Sequence, residues 1–168
     1  MTAAEGPSVD RQVERAVAFI LRSTRSRPQT EAELADKLRE RELGDEVSRA
    51  ALSRAHELGA VDDSAFARAW VHDRGHGRGY GLARLRQELI RRQVPEHVAA
   101  AALAELEDRD EEAVATDLAK ERFARFPPAL DPEKAARRLV GFLQRRGYGP
   151  RLAQRVAMDV TGLSRAWD

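Results

Sequence analysis

Apolar residues recur three and four positions apart along most of this chain, with polar residues between them, which is the spacing of helices buried on one face. Val13, Ala16, Val17, Ile20 and Leu21 predict a first helix. Arg27-Pro28-Gln29-Thr30 interrupts it, and Thr30 with Glu33 forms a capping box for a second helix through Leu38. Gly44-Asp45 opens a third, carrying Val47, Ala50, Ala51, Leu52 and Leu58 and stopped at Gly59. Asp62 and Asp63 are candidate caps for a fourth, Ser64 to Asp73, with Phe66, Ala69 and Trp70 facing the core. Leu82 to Arg92 gives a fifth, and Pro95 suits the first turn of a sixth running to Leu106. The seventh spans Asp110 to Phe126 and ends at Pro127-Pro128, and Asp131-Pro132 starts the eighth. The eighth ends at Gly147-Tyr148-Gly149, and the ninth runs from Pro150 to Val160 before Gly162 and a tail with Trp167. No stretch alternates with period two long enough for a strand, so the reading is all-α.

Three of the breaks share one pattern. Leu38 to Val47, Leu89 to Val98 and Leu143 to Leu152 each join a basic helix end, a tight break and a new helix, and they begin 51 and then 54 residues apart. Leu34, Leu85 and Leu139 each stand four residues before the first Leu, and Leu52 matches Leu103 at the 51-residue offset. Such a period predicts tandem units that share their apolar faces. The expected organisation is three three-helix repeats, 11–58, 59–107 and 108–162, between tails 1–10 (disordered) and 163–168. The expected architecture is an elongated, curved array, right-handed or solenoid-like.

Composition narrows the function. Aromatics are 5% of the 168 residues, so packing rests on Leu, Val and Ala, and cysteine is absent, which removes disulfides, thiol catalysis and thiolate metal sites. No apolar run reaches the ~18 residues of a membrane span, and Met1 to Asp10 is unlike a signal peptide; a cytoplasmic protein is expected. The net charge of +1 conceals alternating blocks. Residues 74–92 hold six Arg and one Glu, 96–112 seven acids and one Arg, and 122–155 nine Lys or Arg and two acids. Blocks like these form either mutually paired, solvated helix faces or a surface for a polyanion or an acidic protein.

The candidate chemistry is sparse. Gly75-His-Gly-Arg-Gly-Tyr-Gly81 has the glycines of a phosphate loop but lacks the lysine and hydroxyl that must follow its last Gly, so a flexible interhelix loop is expected. His72 and His76 are four apart, yet Gly75 and Gly77 disfavour a helix through them, and no metal site or cofactor is expected. Asp62 and Asp63 read as caps rather than an acid–base pair. No constellation suggests catalysis or a small-molecule substrate. The Leu82–Arg92 helix says more. Leu82, Leu85 and Leu89 form one stripe, Arg84 and Arg91 point the other way, and Arg86 and Arg92 lie on the shoulders, with Tyr80 just before. With Arg74, Arg78, Arg145 and Arg146 these residues make the candidate partner-binding surface, because guanidinium forks beside an aromatic hold phosphates, bases or carboxylates. Pairing of the same arginines with the acidic block is the competing reading. Tyr148 aligns with Leu43 and Val94 in the repeat, so its ring is expected to be partly buried.

The segment Gly59-Ala-Val-Asp-Asp-Ser-Ala-Phe-Ala-Arg-Ala-Trp70, then Arg74, then Gly79-Tyr-Gly-Leu-Ala-Arg-Leu-Arg-Gln-Glu-Leu89, closely resembles the RecX family. The shared features are the pair Asp62-Asp63, Phe66-Ala, the aromatic Trp70 a turn later, and Gly-Tyr-Gly leading into an Arg-rich helix bearing Leu85 and Leu89. The chain departs from the family pattern at Ala60, where an aromatic is usual, and its third unit matches loosely. The resemblance implies an all-α array of three-helix repeats without a catalytic site. It further implies a negative regulator that lies along the groove of the RecA filament on single-stranded DNA. Such a protein suppresses ATP hydrolysis, strand exchange and coprotease activity in recombination, repair and the SOS response. The partners implied are the RecA filament and single-stranded DNA, with double-stranded DNA a further one. A nucleic-acid-binding helical module acting without RecA is the alternative.

Overall fold

Each of the nine helical stretches forms a helix in the computed structural model, which describes residues 8–166. They are α1 (Val9–Ser26), α2 (Glu31–Arg39), α3 (Asp45–Glu57), α4 (Asp63–Val71), α5 (Leu82–Arg91), α6 (Glu96–Ala104), α7 (Glu111–Phe123), α8 (Pro132–Arg145) and α9 (Pro150–Thr161). No strand occurs among the described residues. Because α1 starts at Val9, the expected tail of residues 1–10 already turns helical at its end, while Trp167 lies outside the described residues.

The caps explain many of the boundaries. The Thr30 hydroxyl accepts from the Glu33 N–H while the Glu33 carboxylate accepts from the Thr30 N–H, closing the capping box of α2. Asp110 and Asp131 each accept from the N–H three residues on, at the starts of α7 and α8. The aspartate pair divides its work. Asp62 accepts from Ala65 N–H and caps α4, whereas Asp63 accepts from Glu31 N–H at 2.8 Å and so supplements the N-terminus of α2. Burial raises the Asp63 carboxyl above the usual carboxylate range, against the opposing effect of that hydrogen bond.

The thrice-repeated break has one conformation. Glu42, Gln93 and Gly147, each four residues after the repeat's first Leu, have φ of 59°, 57° and 94°. At each, the next N–H bonds back to that Leu carbonyl: Leu43 to Leu38, Val94 to Leu89 and Tyr148 to Leu143, at 3.2, 3.1 and 3.2 Å. Glu42, Gln93 and Gly147 themselves bond to Arg39, Ile90 and Gln144. This pair of bonds is a Schellman motif, which satisfies carbonyls that a helix end leaves open. The paired leucines before each break, Leu34 and Leu38, Leu85 and Leu89, Leu139 and Leu143, are all fully buried. The repeat is thus one helix stop with one apolar anchor, written three times.

The chain falls into two compact units. The first takes the chain up to Ala67 together with Leu89–Ala99, and the second takes Arg68–Glu88 together with Ala100 onward. The first packs Ala16, Ile20, Leu34, Leu38, Val47, Ala51 and Leu52 around one core. In the second, Ala115, Ala119, Leu139, Leu143, Tyr148, Ala153 and Val156 form one cluster. Each buried Leu contributes about 2 kcal/mol of transfer free energy, and alanines let the helices approach closely.

Two details of α4 differ from expectation. Ala69 is exposed and Trp70 only half-buried, while Ala67 and Val71 take the buried positions with Phe66. Nor does the helix stop before the glycines: it widens into a six-residue π turn, His72–Gly77, carrying the His72 and His76 rings 5.6 Å apart. Gly75 there lies buried, where a Cβ would come within 2.6 Å of a Leu106 methyl, so close packing offsets glycine's poor helix propensity.

Candidate functional site

The segment from Gly75 to Gly81 is a packed joint rather than a flexible loop. A Cβ on Gly79 would sit 2.8 Å from a Leu118 methyl, and one on Gly81 would sit 2.7 Å from the Gly147 carbonyl oxygen. A Cβ on Gly147 would in turn lie 2.5 Å from Arg84 Cβ, which accounts for glycine in the third copy of the break where the others carry Glu42 and Gln93. Backbone and side chain then tie the joint. Gly81 N–H donates to Arg146 carbonyl at 2.8 Å, and the buried Tyr148 hydroxyl donates to Gly79 carbonyl at 2.8 Å. Arg109 donates through Nη1 to Gly75 carbonyl at 2.7 Å and through Nη2 to Tyr80 carbonyl at 2.9 Å. Burial pushes the Tyr148 hydroxyl pKa up, and its buried ring agrees with its place in the repeat.

On this joint stand two stacked arginine–aromatic pairs. The Arg74 guanidinium lies 3.4 Å from the Trp70 ring centroid, and that of Arg84 3.8 Å from Tyr80, with Arg146 a further 5.6 Å from Tyr80. Glu88 joins both pairs. Its Oε2 accepts from Trp70 Nε1 at 3.1 Å and faces Arg74 Nε at 3.2 Å, while Oε1 accepts from Arg84 Nε at 2.9 Å. Arg84 also donates to the Arg145 carbonyl at 2.7 Å. Arg84 is therefore held on three sides, contrary to the expected outward-facing cation. The helix offset that points it away from the leucine stripe points it at Glu88, one turn on, and at the chain before Gly147. Its partner is an acid of its own helix, not of the acidic block.

The remaining candidates fall into two groups. Arg146 donates to the Arg78 carbonyl, and Arg78 faces Asp73 at 3.5 Å. Arg92 pairs with Glu33 at 2.5 Å, and its carbonyl accepts from the Thr30 hydroxyl, so it holds α2 to the end of α5. Arg78, Arg86, Arg91 and Arg145 keep exposed side chains, and Ile90 beside Arg91 is exposed too. Basic and acidic blocks also meet directly: Arg155 donates to both oxygens of Glu112, at 3.0 and 2.7 Å, and Leu82 N–H donates to the Glu111 carboxylate at 3.2 Å.

Two residues that organise the site were absent from the sequence reading. Arg109 carried a signal, being the one cation in a block of seven acids. Glu88 carried its own, the one acid among six arginines. Among the described residues no three His, Asp or Glu gather as metal ligands, and no helix there is long and apolar enough to cross a membrane.

Comparison with known proteins extends these observations. Residues 62–103 match the family description "RecX, second three-helix domain" and residues 110–156 match "RecX, third three-helix domain". A protein of Streptomyces lividans named "Regulatory protein RecX" is 41% identical over 144 residues, covering 86% of this chain and 76% of the relative. The protein of that name from Thermobifida fusca is 44% identical over 147 residues, covering 86% and 78%. Among solved structures, RecX from Lactobacillus salivarius superposes with a TM-score of 0.72 at 14% identity, covering 90% of this chain and 97% of that one, a likeness of fold.

Proposed function

Because this chain belongs to the RecX family, whose curated relatives are named regulatory proteins, we propose that it is a negative regulator of the RecA recombinase. It binds the RecA filament on single-stranded DNA along its groove and suppresses ATP hydrolysis, strand exchange and coprotease activity. Recombination, DNA repair and the SOS response are the processes it restrains, in the cytoplasm, and it acts by binding rather than by catalysis. The observation that supports this reading best is that the second family-domain match, residues 62–103, contains the arginine–aromatic array.

The array suits such a role physically. Arg74 and Arg84 are fixed by Glu88 and by their rings, which lowers the entropy lost when neighbouring groups meet a partner. The exposed Arg78, Arg86, Arg91 and Arg145 supply the cations that a filament's carboxylates or phosphates meet. Three repeats, 11–58, 59–107 and 108–162, offer contacts to successive subunits, and several modest contacts give avidity. The test is RecA ATPase on single-stranded DNA titrated with this protein. Inhibition at stoichiometric levels is expected, and undiminished ATPase with folded protein defeats the reading.

The arginine excess in residues 74–92 favours a second reading, a nucleic-acid-binding module that needs no RecA, with single- or double-stranded DNA as its partner. Its affinity then falls steeply with salt through counterion release. Fluorescence anisotropy with labelled DNA at two salt concentrations decides it, and absence of binding at low salt removes it.

A further inference from the structure

The third basic block encloses a cleft that shares only Arg145 with the proposed regulatory surface. It lies between α7 and α8, with a volume of about 470 Å³, and five arginines line it: Arg122, Arg125, Arg137, Arg138 and Arg145. No acidic side chain lines it. Arg137 has an exposed partner outside, Glu133 at 3.6 Å, while none of the other four forms a side-chain ion pair among the described residues. Like charges converging without counter-charge repel one another, so an arrangement of this kind gains stability from an anion that neutralises it.

The floor of the cleft is aromatic. Phe126 and Phe142 line it, and the Arg122 guanidinium stands 5.6 Å from the first ring and 5.8 Å from the second. Arg138 stands 6.0 Å from Phe126, and Arg146 4.7 Å from Phe142. Phe123 packs edge-on against Phe126 at 6.1 Å, so that ring has a fixed tilt. Guanidiniums at this distance from a ring gain cation–π attraction and keep their N–H groups for an oxygen ligand. Arginine forks match phosphate geometry in a bidentate way. The volume falls within the range of small-molecule sites.

We propose that this cleft binds a nucleoside polyphosphate, its phosphate chain among Arg122, Arg125 and Arg138 and its base against the Phe126–Phe142 floor. Five guanidiniums around one small cleft match an anion whose charges are contiguous. A nucleic-acid strand spreads its charge at one phosphate per nucleotide and would present only about one or two to a site this size. The phosphates thus sit away from the glycine segment, which packs against Gly147 and Leu118 and leaves them no room. This is a ligand site, not a catalytic one, and it does not depend on any action on RecA.

The experiment is calorimetry on the full chain, with no recombinase present, using ATP, inorganic tripolyphosphate and a short single-stranded oligonucleotide as separate probes. One-to-one binding of ATP, tighter than tripolyphosphate, is expected. Arg122→Gln with Arg138→Gln should weaken ATP by about tenfold or more and make its salt dependence shallower. A control that removes the same charge elsewhere, Arg49→Gln with Arg151→Gln, should leave ATP binding within about twofold, which separates a site from net-charge attraction. Circular dichroism and melting of both variants check that they fold. Lack of ATP binding, equal loss in both variants, or an oligonucleotide that binds the cleft when ATP does not, each overturns the proposal.

Discussion

The Tyr148 hydroxyl donates a buried hydrogen bond of 2.8 Å to the carbonyl of Gly79, linking two segments 69 residues apart in sequence. Tyr148→Phe leaves that carbonyl without its donor and should cost about 1–3 kcal/mol, read as a lower denaturation midpoint at unchanged slope. The substitution should also alter alkaline behaviour. Burial raises the phenol pKa above its ordinary 10.0 in the folded chain. Above that ordinary value the unfolded chain loses the phenolic proton while the folded chain keeps it. Folded protein then binds more protons, and unfolding free energy falls as pH rises from there through the raised pKa. The Phe variant should lack this part of the decline, and matching slopes for both proteins would refute the assignment.

Glu88 serves Trp70, Arg74 and Arg84 together, so its removal is not a surface change. Glu88→Gln keeps the shape but takes this counter-charge from Arg84 and leaves Arg74 with Asp73 at 3.3 Å. A loss of about 1–3 kcal/mol is expected, with a change in Trp70 fluorescence on the same variant. Unchanged stability would mean that solvent supplies what the carboxylate does.

Glu42 and Gln93 hold φ of 59° and 57°, where a side chain is strained and glycine is not. Gln93 offsets this with a bond from its Nε2 to Asp36 at 2.9 Å, which helps hold the Asp36 carboxyl below its usual range. Glu42 has no such side-chain bond among the described residues, and its surroundings are open to solvent. Glu42→Gly should therefore stabilise the chain by about 0.5–1 kcal/mol, whereas Gln93→Gly should gain less. Thermal melts of the pair distinguish local backbone strain from side-chain pairing.

Variants that test the proposed partner surface should spare the residues that hold the joint. Arg91→Glu with Arg145→Glu changes two exposed cations and should reduce RecA ATPase inhibition with melting temperature nearly unchanged. Arg84→Glu sets a second carboxylate beside Glu88 and should lower stability as well as function. Leu85→Ala, deep in the core, should act through stability alone at about 2–5 kcal/mol.

Much of this structure follows from local rules. The capping box at Thr30, the caps at Asp110 and Asp131 and the buried leucine pairs all depend on residues within a few positions of one another, so a linear reading reaches them. Ala67 and Val71 on α4 illustrate the limit: spacing pointed to Phe66, Ala69 and Trp70, and of these only Phe66 is buried, because tertiary packing sets which side of the helix faces inward. The same holds for the glycine segment. Alternating glycines read as freedom because their neighbours in sequence do not fill the space; Leu106, Leu118 and Gly147 do. The arginines show the difficulty for function most clearly. Arg84 and Arg91 stand on one outward face by periodicity, yet Glu88 and the Arg145 carbonyl engage the first and leave the second exposed.

The three Schellman breaks bear on how the chain reaches its native state. Each closes its bonds within six residues and needs no distant partner to set its direction. Every unit can therefore reverse its chain before the long-range packing of Tyr148 against Gly79 is available. Rapid kinetics dominated by local steps follow, on about the microsecond-to-millisecond scale of helical proteins. The later docking around Gly81 and Gly147 becomes the step at which a damaged chain would stall.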